Sequence, residues 1–315
     1  MKELFILRSD NMDTDVLHEP NSEPEWNESF YFSFYDKDND SYAFMRMGLR
    51  PNKKEKNMFC YISTPHIVAG KRAYGHIYHN GMETNGLKYE KLEAEKRWKM
   101  TYEGDMKVVS CKTLEYIDVK LDLEFNALND MFDYRKCVTG PKEMMSRSVA
   151  SEHYEQFGRV TGKIEMLEKT LEIDGLGERD HSWGVRDWNA PRMWIWLTGQ
   201  FSEKLALNVT KLIVDEGEVD AGFFHVDGTD HPIIGANIDT VFGDDGAPES
   251  FTMELTDAEG RVRSVDAKVI KNIKLPFMSE DKKTLSVMHE TLAEYTYDGK
   301  KGYGIAEYLI KNKRE

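Results

Sequence analysis

The sequence predicts an all-β protein built from two antiparallel barrel or sandwich domains, with a short helical segment near their junction. Three observations lead there. Apolar and polar residues alternate with period two in stretch after stretch, the mark of strands with one buried and one wetter face. Turn-forming clusters punctuate them, among them DKDND (36–40), HNG (79–81) and EGD (103–105). Patterns with a 3.6-residue period are scarce.

In chain order, the first half offers strands at SFYFSFYD (29–36), SYAFMRMGLR (41–50), KVVSCKT (107–113) and YIDVKLDLEF (116–125). The second half repeats the pattern in RVTGKIEM (159–166), MWIWLTGQFS (193–202), LALNVTKLIV (205–214), GFFHV (222–226), SFTMELTD (250–257), SVDAKVIKNIKL (264–275), ETLAEYTYDG (290–299) and KGYGIAEYLI (301–310). Helix is expected at about 130–157, where DMFDYRKCV and KEMMSRSVASEHYEQF flank Gly140-Pro141, a pair that ends one helix and starts another. A chain of 315 residues exceeds one small core. The expected division is 1–168 and 169–315, the helical segment closing the first domain.

The 56 acidic residues outnumber the 42 basic ones, and KNKRE at the end is the one basic cluster of note. That balance argues against nucleic acid as a partner. Three cysteines, Cys60, Cys111 and Cys137, are odd in number and match no CxxC spacing, which fits a reducing compartment. The first residues, MKELFILRSD, are too short an apolar run for a signal peptide, and no run approaches the roughly 18 residues of a membrane span. A cytoplasmic protein is expected.

Several motifs fail on their own chemistry. Asp36, Asp38 and Asp40 open like a calcium loop, but Ser41 stands where the loop needs Gly and Met47 where it needs Glu. His76 and His79 are three apart in a strand context and point to opposite faces. GLG (175–177) lacks the third glycine and following helix of a dinucleotide fingerprint, and HExxH and GxSxG are absent. No metal and no cofactor is expected.

The stretch GERDHSWGVRDWNAPRMWIW (177–196) holds four of the six Trp residues: Trp183, Trp188, Trp194 and Trp196. As one strand it would point Asp180, Ser182, Arg186 and Trp188 to one side and Arg179, His181, Trp183 and Asp187 to the other. Gly184 would mark a bulge or a close backbone approach. Charge beside indole demands pairing, so one reading is an Arg179–Asp180–Arg186–Asp187 lattice with a purely structural role. The other is catalytic. A carboxyl partly desolvated by indoles keeps its proton, so Asp180 or Asp187 serves as general acid, His181 carries the second proton, and indole faces stabilise a developing cation.

These residues resemble a known family. GERDHSWGVRDW, preceded by HYEQFGRVTG (153–162), is similar to the second-domain signature of carotenoid 1,2-hydratase (hydroxyneurosporene synthase) and AttH-like proteins, and NESFYFSFYD (27–36), RMGLRPN (46–52) and GYGIAEY (302–308) extend the likeness over most of the chain. The resemblance implies a pair of lipocalin-like β-barrels with an apolar ligand pocket. It implies hydration of isoprenoid alkenes, or cyclisation of polyenes, without a cofactor. The motif positions it carries are Arg179, Asp180, His181, Trp183, Arg186, Asp187 and Trp188, with Asp180 as the acid.

Strand polarity adds Arg46, Gln200 and Glu307 as candidate lining, beside Trp194 and Trp196. The expected function is a hydratase, dehydratase, isomerase or cyclase acting on an isoprenoid-like apolar molecule, collected by transient contact with a membrane. The alternative is a non-catalytic lipid or terpenoid carrier, and a third is a structural domain with a collapsed interior and no pocket of ligand size.

Overall fold

The computed structural model describes residues 14–77, 81–110, 115–138, 140, 142, 145, 152–185, 191–278 and 284–313. Alternating sequence becomes strand in all but one of the expected places: of KVVSCKT (107–113), only Lys107 and Val108 are strand, Val109 and Ser110 form a bend, and 111–113 lie outside the described residues. Strands β1 (Trp26–Asp36), β2 (Ser41–Arg50), β3 (Glu55–Ser63) and β4 (Val68–His76) are followed by β5 (Glu83–Thr84), β6 (Leu87–Glu93), β7 (Arg97–Val108), β8 (Tyr116–Ala127) and β9 (Phe132–Asp133). Then come β10 (Glu152–Met166) and β11 (Lys169–Val185). The first sheet runs β4-β3-β2-β1-β11-β10-β8-β7-β6-β5. Pairing of Ala69 with Val108 and Gly70 with Lys107 joins β4 to β7 and closes it on itself.

The second sheet is a closed antiparallel barrel in simple chain order: β12 (Met193–Ser202), β13 (Leu205–Val214), β14 (Gly217–Val226), β15 (Thr229–Phe242), β16 (Pro248–Asp257), β17 (Val262–Met278), β18 (Thr284–Tyr297) and β19 (Lys300–Lys313). The strands expected at 193–202 and 205–214 coincide with β12 and β13.

Two expectations need correction. β11 pairs with β1 and β10, so it belongs to the first sheet. The change of sheet therefore falls between Val185 and Met193 rather than at 168, because the β10–β11 hairpin at Met166–Lys169 turns back within one sheet instead of crossing to the next. The helix expected over 130–157 is formed only in part where the chain is described: Lys142 and Met145 are helical, while β9, a 3-10 turn at Tyr134–Lys136 and the start of β10 occupy the flanks. Tertiary pairing of β9 and β10 overrides local propensity there. Residues 139, 141, 143–144 and 146–151 lie outside the described residues.

Both interiors are filled by side chains. Phe30, Phe32, Trp98 and Phe125 pack inside the first barrel, and Leu197, Leu207, Phe251 and Tyr295 inside the second. A third cluster lies between the barrels, joining Tyr31, Phe44 and Phe59 to Trp194, Trp196 and Met288. Strand parity explains this: in β1 the even-numbered Phe30, Phe32 and Phe34 turn inward, while Tyr31 turns toward the other barrel. Gly177 permits a close approach of β11 to β1, since a Cβ there would lie 2.1 Å from the Ser33 carbonyl oxygen.

The DKDND segment is a hairpin turn joining β1 and β2. Asp36 Oδ1 accepts from the backbone N–H groups of Asp38 and Asn39, an Asx-type turn.

Candidate active site

The two faces of β11 have different work. On one face, Arg179, His181 and Trp183 fasten residues 14–18. Arg179 Nη1 donates to Asp15 Oδ1 at 2.8 Å and its Nε to Gln156 Oε1 at 2.8 Å, with both charged side chains fully enclosed. His181 contacts the Thr14 carbonyl through Nδ1 and Glu28 through Nε2 at 2.9 Å. The indole of Trp183 stacks on His18 at 3.6 Å between ring centres. Burial raises the Asp15 carboxyl, but Arg179 outweighs it and holds the group below its ordinary range. Arg179 is thus paired with Asp15, not with Asp180 as a lattice would require.

The other face carries Glu178, Asp180 and Ser182 toward the second barrel. Asp180 is the cross-strand neighbour of Tyr31, Tyr31 of Arg46, and Arg46 of Phe59. On its far side Asp180 neighbours Glu155. One row of side chains, Glu155–Asp180–Tyr31–Arg46–Phe59, therefore crosses the first sheet. Facing it, Trp196, Glu307 and Glu290 form a second row across β12, β19 and β18.

Between the rows lies a cleft lined by Asp180, His153, Tyr31, Arg46, Trp194, Trp196 and Glu307, among others. Its enclosed volume is about 40 Å³, room for roughly three waters at about 10–15 Å³ each. His153 Nε2 bridges two carboxylates, at 2.5 Å from Asp180 Oδ2 and 2.8 Å from Glu155 Oε1, and its ring stacks on Tyr134. Arg46 also donates to Asn57 Oδ1 at 2.9 Å. Trp196 meets the Tyr31 ring edge-on at 5.0 Å, and its Nε1–H has no hydrogen-bond partner among the described residues.

Behind the cleft, two more carboxyls are wholly buried. Burial, followed by the neighbouring charges of Glu178 and Asp180, pushes Glu155 well above the carboxylate range. Burial pushes Glu178 up to about 8, although Asn208 Nδ2 donates to its Oε1 at 2.6 Å. Tyr134 anchors this corner, its hydroxyl 2.7 Å from Asn208 Oδ1 and 2.8 Å from Thr210 Oγ1.

Of the residues expected from sequence, Asp180, Trp194, Trp196, Arg46 and Glu307 meet in this cleft. Gln200 lines a smaller recess beside it with Glu178, Thr198 and Tyr303. Arg179, His181 and Trp183 point away, because alternate residues of a strand cannot share a face. His181 and Trp183 therefore do not line this cleft. Gly184 adopts φ 130° in unbroken register with Asn27, a backbone need rather than a bulge. Arg186, Asp187 and Trp188 lie outside the described residues, as does His79.

Sequence reasoning missed His153, Glu155, Glu178, Glu290 and Tyr31 as site residues. HYE (153–155) stood in the quoted motif, but only the β10–β11 register brings it beside Asp180. Two triads could hold a metal ion by donor type: His153–Glu155–Asp180 and His18–Glu28–His181. In each, the donor atoms already hydrogen-bond one another.

Two closed antiparallel barrels with filled interiors, and an acid–base cleft where their walls meet, define a two-domain lipocalin-like protein. The chain belongs to the family described as "Domain of unknown function (DUF7064)", whose profile matches residues 11–312. No curated protein matches the sequence. Among solved structures, kievitone hydratase from Nectria haematococca aligns with TM-score 0.62 and 11% identity over 93% of this chain and 90% of its own. A putative AttH from Nitrosomonas europaea aligns with TM-score 0.57 and 12% identity over 93% and 98%. CghA bound to Sch210972 gives TM-score 0.60 and 10% identity over 91% and 89%. At these identities the likeness is one of fold. It agrees with the AttH-like side of the resemblance and adds nothing to the carotenoid-specific side. Among the described residues, no helix is long and apolar enough to cross a membrane.

Proposed function

We propose that this protein is a hydratase-type enzyme, adding water to an alkene or removing it from an alcohol in an isoprenoid-like apolar molecule, with Asp180 and His153 transferring the proton. The observation that carries this reading is their 2.5 Å contact in a cleft walled by Trp194 and Trp196. In dehydration a proton passes to the hydroxyl oxygen, the C–O bond breaks with its electron pair leaving as water, and a neighbouring carbon gives up a proton to form C=C. Hydration is the reverse. Both directions need a group that gives or takes one proton, which a carboxyl–imidazole pair does. Both pass through positive charge on carbon, which indole faces stabilise by about 0.5–2 kcal/mol each.

The fold supports the reading, since one solved protein that shares it is named a hydratase and another was determined with a small molecule bound. A carrier of lipocalin type would enclose its ligand, which takes about 300–1,000 Å³. Among the described residues the barrel interiors are packed with side chains, and the cleft admits a reacting group and a water. The remainder of the substrate lies outside its enclosed part.

The test is incubation of the protein in D2O with prenyl alcohols and terpenoid alkenes of several lengths, followed by mass spectrometry. Wild type should incorporate solvent deuterium, and Asp180→Asn should lose about 100-fold or more in turnover with its melting temperature unchanged. Full turnover by Asp180→Asn on an identified substrate would remove Asp180 from the chemistry. A ligand extracted unchanged after long incubation would make the protein a carrier.

A further inference from the structure

We infer that Glu307, backed by its cross-strand partner Glu290, is a second proton-transferring group of the cleft, set on the wall opposite Asp180 and His153. This rests on the hydratase-type reading above and adds to it a division of labour between the two barrels.

The geometry comes from three adjacent strands. Glu307 is the register partner of Trp196 on one side and of Glu290 on the other. Glu307 lines the cleft, while Glu290 sits behind it at 0% exposure. Tyr31 reaches across from the first barrel and donates its hydroxyl to Glu290 Oε2 at 3.1 Å. Glu290 Oε1 has no N–H or O–H donor among the described residues, and the Glu290 and Glu307 side chains are within hydrogen-bonding reach of each other. Two carboxyls in such contact hold at least one proton between them, because like charges so close do not both ionise.

The groups facing Glu290 are Glu307 from β19, Tyr31 from β1, Tyr42 and Arg46 from β2 and Tyr61 from β3. Burial and then the Glu307 charge push Glu290 well above the carboxylate range, and Arg46 pulls it back in part. The tyrosines stay neutral, since burial raises the hydroxyls of Tyr31, Tyr42 and Tyr61. A proton is thus stored beside the cleft.

An independent feature marks where the substrate oxygen sits. Trp196 is 5% exposed, its Nε1–H finds no acceptor among the described residues, and it stands next to Glu307 on the cleft wall. A buried donor without a partner is costly, and a substrate hydroxyl or the reacting water supplies the missing acceptor.

The steps balance. In hydration Glu307 gives the shared proton to one alkene carbon, and the π electrons become the new C–H bond. Water attacks the cationic carbon through oxygen, and the Asp180–His153 pair takes the proton that water loses. The proton held by Asp180–His153 then passes through a cleft water to Glu307, so both groups return to their starting state and the addition of water to the alkene is the only net change.

The experiment uses the full chain and the variants Glu307→Gln, Glu290→Gln and Asp180→Asn. Infrared difference spectra at neutral pH, which need no substrate, should show a protonated-carboxyl component that Glu290→Gln or Glu307→Gln removes and Asp180→Asn leaves. With an identified substrate, Glu307→Gln should lower kcat about 100-fold. Glu290→Gln should move the basic limb of the pH–kcat profile to lower pH, because Glu307 loses the neighbouring charge that keeps it protonated; a merely structural role would not move it. A carboxyl component unchanged by both glutamine variants, or wild-type turnover by Glu307→Gln, overturns the assignment. Absence of turnover in wild type on every substrate overturns the hydratase-type reading alone, and the infrared result still decides whether the pair shares a proton.

Discussion

His153 and Asp180 lie 2.5 Å apart in the lining of the inter-barrel cleft, on neighbouring strands β10 and β11. Glu155, 2.8 Å from the same imidazole nitrogen, holds the ring from behind. The imidazole is therefore fixed in position before any substrate arrives. His153→Gln keeps the size and one donor but cannot carry a proton. It should lower kcat by at least about 10-fold while KM changes little, as steady-state kinetics will read directly.

Arg179 and Asp15 form an ion pair with no solvent access. Arg179→Ala leaves the Asp15 carboxylate buried and alone, a change that costs about 3–5 kcal/mol and should appear as a lower urea midpoint. Because Asp15 sits below its ordinary range when folded, its contribution is fully present above the usual aspartate pKa and fades as pH falls through the lowered folded value. Acid titration of wild type and Arg179→Ala by circular dichroism will show the difference.

Glu178 titrates the other way. Its folded pKa of about 8 exceeds that of an unfolded glutamate, so from about pH 4.5 to about 8 the folded state binds the extra proton. Stability conferred by this group therefore falls as pH rises through that window, by up to about 1.4 kcal/mol per pH unit. Glu178→Gln keeps an acceptor for Asn208 and should flatten the dependence, leaving the variant more stable than wild type at pH 8 in urea titrations.

Trp196 and Trp183 are a contrasting pair. Trp196→Phe keeps an aromatic wall in the cleft and removes the Nε1–H, so ligand affinity should weaken roughly 2- to 10-fold, the worth of one hydrogen bond. Trp183→Phe alters the stack on His18 and should lower the melting temperature while leaving affinity unchanged. Calorimetric titration and a thermal melt separate the two.

Gly177 tests the close approach of β11 to β1. Gly177→Ala puts a methyl 2.1 Å from the Ser33 carbonyl oxygen, and the backbone must move to accept it. A loss of about 1–3 kcal/mol is expected, measured as a shift in denaturation midpoint.

The sequence by itself determined many of the strands and the sorting of their residues by face, but it did not show β3, β4, β6 or β15. Alternation is local and its period is fixed by the pleat, so 193–202 and 205–214 were legible to the residue. The split of GERDHSW into Arg179–His181–Trp183 and Asp180–Ser182 was legible too. What alternation cannot tell is which face meets what. That choice depends on register between strands far apart in sequence, and it placed Asp180 in the cleft while giving His181 and Trp183 to the clamp on residues 14–18. It also assembled Glu155, Asp180, Tyr31 and Arg46 into one row opposite Trp196, Glu307 and Glu290. Pairing of β11 with β1 and β10, rather than any local signal, decided which barrel owns the motif. A site made of two facing rows of side chains exists only once both barrels have closed and docked, so only the tertiary structure could reveal it.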